Sequence, residues 1–177
     1  NVLPKLASEA SDRELTRAFE SHLKETRKHV ANLEKVFKNL GESAQGQPCP
    51  GIDGIKEEHD SFMQEHDATP TVRDVFLTGA ASRTEHYEIA AYTGLIEQAR
   101  ALGERESVKL LQENLKQEKD ALKKVESISK RILKGTSSNG SSRRSTSRRS
   151  TSARSTSARP TRKRSTAKRA TSTSRSR

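Results

Sequence analysis

Acidic and imidazole side chains repeat at helical spacing in this sequence, and their chemistry is that of hard-metal ligation. His22-x-x-Glu25, Glu25-x-x-x-His29 and Glu85-x-x-Glu88 each bring two such groups onto one helix face or nearly so. Glu118 interrupts the apolar series Leu111, Leu115, Leu122, Val125, while His22 and Glu25 lie along the apolar side of another helix. Three helices thereby direct carboxylates, and two of them histidines, toward one interior. Such sets build two-metal sites in helix bundles, where carboxylate oxygen and imidazole nitrogen suit iron or manganese. The Glu-x-x-His pair usual for these sites is absent. Interhelical salt bridges, for instance Arg83 with Glu25 or Glu118, fit the same pattern, because a buried charge needs either a partner or a metal. The pattern alone leaves both readings open. His59 and His66 read as edge or surface histidines, and Cys49, between two prolines and without a partner cysteine, as structural or exposed.

A second chemistry lies near the C-terminus. Residues 136–177 hold 11 Arg, 2 Lys and no acid, so this stretch carries +13; residues 1–135, with 21 cations against 23 acids, carry −2, which together give the whole-chain +11. Arg144, Arg149, Arg154, Arg159, Arg164 and Arg169 recur in a five-residue register separated by Ser, Thr and Ala in the main. A segment so poor in apolar residues cannot offset its ordering entropy, so a disordered tail spanning on average about 36 Å is expected. Without aromatic residues for base stacking, phosphate neutralisation is its mechanism, and DNA or another polyanion its partner. A solubilising linker is the alternative.

The elements that must position the acidic cluster are helices. Leu15, Phe19, His22, Thr26, Val30, Leu33, Phe37 and Leu40 mark one face of a helix over 12–40, with Ser11 and Glu14 as a capping box and Gly41 as its end. Residues 41–51 form a loop, and a shorter helix follows from about Ile52 to His66. Thr69-Pro70 opens a helix to about Leu102, apolar on nearly every side and so expected to be buried. A last helix runs from about Glu106 to Leu133. Residues 1–10 read as the end of a further helix, and with Asn1 first and no signal region the sequence is expected to start inside a longer chain. The fold class is an all-α antiparallel bundle over 1–135, with the disordered basic tail over 136–177. One cysteine permits no intramolecular disulfide, and the low-polarity stretch 89–96 is far too short to span a bilayer, so no membrane partner is expected.

The runs LPKLA at 3–7, AFESHLKET at 18–26, EHYEIAAY at 85–92 and LKQEKDAL at 115–122 resemble, in order and spacing, the YciE/YciF family of bacterial ferritin-like proteins. The resemblance implies a ferritin-like bundle, a stress-response setting in the cytoplasm, and a di-iron centre of ferroxidase type holding two iron or manganese ions. Carried over by position, Glu25, Glu85, Glu88 and Glu118 match its inward carboxylates, with His22 and His86 as nitrogen ligands. Leu122 and Gln117 stand where the family carries acids, and its Tyr-x-Ala-Glu element would fall upstream of Asn1. The leading expectation is a ferritin-like metal-binding protein that pairs as a homodimer, with a tail that docks on DNA. The rival is a non-enzymatic nucleic-acid-binding protein that uses the bundle for dimerisation and has no working metal site.

Overall fold

The computed structural model describes residues 2–147, with side-chain surroundings through residue 136. The described residues form five helices: α1 (Leu3–Glu9), α2 (Arg13–Asn39), α3 (Pro50–Glu65), α4 (Pro70–Ala101) and α5 (Arg105–Ser147). There is no strand among the described residues. Helix ends follow local chemistry. The α2 cap is Asp12 rather than Ser11: its carboxylate accepts from the N–H groups of Glu14 and Leu15 at 3.0 and 3.1 Å. Gly41 and Gly103, both at φ 75°, close α2 and α4, and the N–H of the next residue bonds back to Phe37 and Ala99 respectively. Thr69 caps α4, with Pro70 in its first turn.

The relative directions of the long helices can be read from side-chain pairs. Ser11 meets Asp74, His22 meets Glu85 and His29 meets Tyr92, each pair 63 residues apart, so α2 and α4 run parallel in a fixed register. On α5 the order reverses: His29 bonds Glu118, Asn32 bonds Asn114 and Asn39 bonds Ser107. A parallel pair needs one long crossover, which the 40–49 loop and α3 supply, and this is the connectivity of ferritin-like bundles. Seven-residue steps (His22, His29, Val36; Glu85, Tyr92, Ala99; Leu111, Glu118, Val125) set the seam. An apolar core around Leu15, Phe19, Leu77 and Ile128 lies on one side of the polar layer, and a second around Val36, Ile96 and Leu111 on the other.

Four expectations need correction. The α2 face drawn through Val30, Phe37 and Leu40 is exposed, Val30 by 54%; the interior positions are His29, Asn32 and Val36, because a bundle helix follows the seven-residue seam and not the apolar count. α4 is not buried all round: it packs mainly on α5, with α3 over its first half, and Leu95 and Leu102 remain exposed. His59 is 2% exposed, with its ring nitrogens 2.7 Å from Glu9 and 2.8 Å from Asp60, which Lys5 also binds, so it ties α3 to α1. Finally, α5 passes the composition break at Gly135 and continues to Ser147, since extending an existing helix is far easier than nucleating one. Arg144 falls in that extension, where side chains are not described, and Arg149, Arg154, Arg159, Arg164 and Arg169 lie outside the described residues. Among the described residues, no helix is long and apolar enough to cross a membrane.

Candidate metal centre

The register of α2, α4 and α5 brings His22, Glu85, Glu88 and Glu118 together, with one ligand atom from each lying within 4.8 Å of all the others. Glu85 and Glu88 share the inward side of α4 because they are three residues apart, whereas His86, rotated by about 100° from Glu85, is exposed and stands off the cluster. The fold therefore does not bring His86, a nitrogen ligand by resemblance, into the cluster. Glu25 is not among the four either: its side chain is half-buried at the rim, and its Oε2 lies 3.3 Å from His22 Nδ1. The other His22 nitrogen, Nε2, faces inward, 3.3 Å from Glu85 Oε1 and 3.5 Å from Glu118 Oε2.

Two of the cluster's carboxylates are almost fully buried. Glu85 is 3% exposed and Glu118 1%, and apart from the proton the two carboxyls share, Oε2 of each meets no hydrogen-bond partner. Among the described residues no arginine or lysine pairs with Glu85, Glu88 or Glu118; Arg83, a candidate partner by sequence, binds Glu58 on the surface at 3.0 Å. Burial pushes the Glu85 carboxyl up to about 10, helped by Glu118. Burial likewise lifts Glu88 to about 7, with the Glu118 charge adding to it. Burial also works to raise Glu118, but the hydrogen bond from His29 and the shared proton of Glu85 outweigh it and hold Glu118 below the usual range. His29 moves the opposite way: burial pulls it down, while bonding to Glu118 more than compensates and leaves it raised. At neutral pH, then, Glu85 keeps its proton, Glu118 carries the charge and Glu88 lies between them, as like charges in a low-dielectric site require.

Sequence reasoning missed the polar seam that backs the cluster. Asn114, fully buried, donates to the Tyr92 hydroxyl at 3.2 Å and accepts from Asn32 at 2.8 Å. Burial pushes the Tyr92 hydroxyl up to about 12. His29 and Leu111 carry sequence signals, the spacing from Glu25 and the apolar series of α5, but nothing in the apolar pattern marks Asn114. A groove of about 710 Å³ between α2 and α5 reaches His22 and Glu85 past Arg17, Glu25 and Asp120. A cavity of about 340 Å³ under α1 and α3 reaches Glu85 and Glu88 past Ile55 and Thr84. Farther out, the Cys49 thiol donates to the Tyr87 hydroxyl at 3.3 Å, and that pairing, with the Ile52 N–H at the start of α3, lowers the thiol. A Cβ at Gly51 would sit 2.6 Å from the Tyr87 ring, so a larger residue there would push the ring aside.

Comparison with known proteins agrees with this architecture. The profile of DUF892, a domain of unknown function, matches residues 1–137. Protein YciF of Escherichia coli strain K12 is 36% identical over 119 residues, covering 67% of this chain and 71% of YciF. The crystal structure of the E. coli stress protein YciF superposes with a TM-score of 0.71 at 33% identity, covering 75% of this chain and 84% of that one. YcfI of Rhodopseudomonas palustris superposes with a TM-score of 0.68 at 42% identity, covering 71% and 79% of the two chains. With its helix order, its crossover and most of its length accounted for, the chain belongs to the DUF892 family, among the YciE/YciF proteins.

Proposed function

We propose that this protein is a stress-associated, bacterial cytoplasmic metal-binding bundle that takes up iron or manganese at His22, Glu85, Glu88 and Glu118, with ferrous iron as the substrate of a ferroxidase-type oxidation. The observation that carries the reading is the pair of orphaned oxygens on Glu85 and Glu118, almost fully buried and, among the described residues, unmatched by any arginine or lysine. Buried polar atoms without partners are rare, and three carboxylates with one imidazole form the donor set that hard divalent ions prefer. Ion uptake would replace the protons now held by Glu85 and Glu88. Glu25 would orient His22 through Nδ1, so that Nε2 serves as the ligand atom. Bound iron would supply one-electron chemistry toward an oxidant; the chain's part is to hold the carboxylates dry and fixed.

The tail is proposed to dock the bundle on DNA or another polyanion by phosphate neutralisation, on the strength of its +13 charge without a single acid. Glu118→Ala separates the two activities: iron loading should disappear while DNA affinity stays unchanged. Loss of both together would mean that the bundle had unfolded. One observation favours the rival reading of a dimeric, non-enzymatic nucleic-acid-binding protein, namely the exposed apolar side chains Val30, Phe37, Leu95 and Leu102. A second copy covering them would make a homodimer, which sedimentation of the wild-type chain would report. No ion retained after anaerobic iron loading would favour that rival.

A further inference from the structure

Two histidines seven residues apart on α2 face the cluster in opposite ways, and the difference assigns a role that the ligand set leaves out. His22 turns Nε2 inward and has its outer nitrogen held by Glu25, which is how a ligating imidazole is usually supported. In His29 neither ring nitrogen is free: Nδ1 lies 2.9 Å from Glu118 Oε1, and Nε2 lies 2.7 Å from Gln117 Oε1. An ionised carboxylate only accepts, so Nδ1 carries a proton and donates it whichever way the Gln117 amide is turned. The ring is 3% exposed and lies edge-on to Tyr92 and His22, at centroid distances of 6.0 and 6.3 Å. Its backbone carbonyl accepts from Asn114 at 3.4 Å. A side chain gripped at this many points cannot turn toward an ion without breaking buried hydrogen bonds, each of which is expensive to leave unmade.

We propose that His29 is a positioning residue that fixes Glu118 as a one-oxygen ligand and does not itself bind the metal. With Oε1 engaged by His29, Oε2 is the oxygen better placed for an ion, because it faces His22 and lacks a hydrogen-bond partner. Gln117 completes the device by holding the far side of the ring, so the neutral amide at 117 keeps another charge out of the seam. This role rests on the metal-binding reading above.

The test is Mn(II) binding to the full chain and to two variants, His29→Leu and His29→Gln, together with electron spin-echo measurement of nitrogen coupling in the Mn(II)-loaded wild type. His29→Leu should bind the same number of ions about 10- to 100-fold more weakly, the usual effect of losing such a support. His29→Gln, whose amide N–H can still donate to Glu118, should recover most of that affinity. The wild type should show one directly bound imidazole. A second bound imidazole would overturn the inference by making His29 a ligand, even if both variants failed to fold. Undiminished affinity in His29→Leu would overturn it as well while leaving the metal site standing. A wild type that binds no Mn(II) would take down the site, and this role with it.

Discussion

Replacing Glu85 with Gln should change how the stability of the metal-free protein depends on pH. In the unfolded chain Glu85 ionises near 4.5, whereas burial beside Glu118 pushes it up to about 10 in the fold. Because the folded value is the higher one, its stabilising share is complete below 4.5 and is lost as pH rises toward 10. Over this window the folded state holds one more proton, so each pH unit removes a little over 1 kcal/mol, or ~4 kcal/mol between pH 5 and 8. Glu88, lifted to about 7, adds a loss of the same sign that levels off above that value. His29 is also raised and acts in the same direction. Glu118, held low, loses its share only as pH falls below the ordinary carboxylate range, outside this window. Gln at 85 keeps the shape and the donor of the protonated acid but has no proton to lose. Urea denaturation of chelator-treated wild type and Glu85→Gln at pH 5, 6.5 and 8 measures the difference. The variant's stability should be flatter with pH by about 4 kcal/mol over the range. Parallel curves for the two proteins would show that Glu85 is already ionised in the fold, and the proton-filled cluster would be wrong.

Other expectations are local. Deleting residues 136–177 should abolish binding to two unrelated DNA duplexes, and the intact chain should lose roughly 10³-fold in affinity or more between 50 and 200 mM salt; binding retained by the truncated bundle would move the function to the folded part. Gly103→Ala should destabilise the protein by about 1–2 kcal/mol in thermal or urea unfolding, since its φ of 75° is strained for any residue with a Cβ. His59→Leu should lower stability by about 1–3 kcal/mol by stripping Glu9 of its buried partner, with metal uptake intact; lost uptake would mean that the α1–α3 tie also shapes the cluster.

Most of the helix plan was legible because its signals are local. Thr69-Pro70, Gly41 and Gly103 act through their own backbone geometry, and the helices start or stop there as read. The four clustered residues were legible too, as charges that interrupt apolar faces. Depth and rotation were not. The difference between a 3.6-residue turn and a seven-residue seam accumulates along α2, so Val30 and Phe37 counted as interior, whereas His29, noted only for its spacing from Glu25, and Asn32, passed over as polar, hold those places. His86 and Glu85 are adjacent in sequence yet differ by a third of a turn, and resemblance by motif does not resolve that. His59 looked like a surface residue because its two carboxylate partners include Glu9, 50 residues away in the chain.

The proposed function requires that the buried carboxylates hold an ion. Elemental analysis of the full chain after anaerobic loading with ferrous iron and removal of loosely held metal measures this directly. One to two ions per chain, absent from Glu118→Ala, is the predicted result. A folded wild-type chain that retains none would contradict it, and would leave the orphaned oxygens of Glu85 and Glu118 as a proton-filled polar layer with no metal to bind.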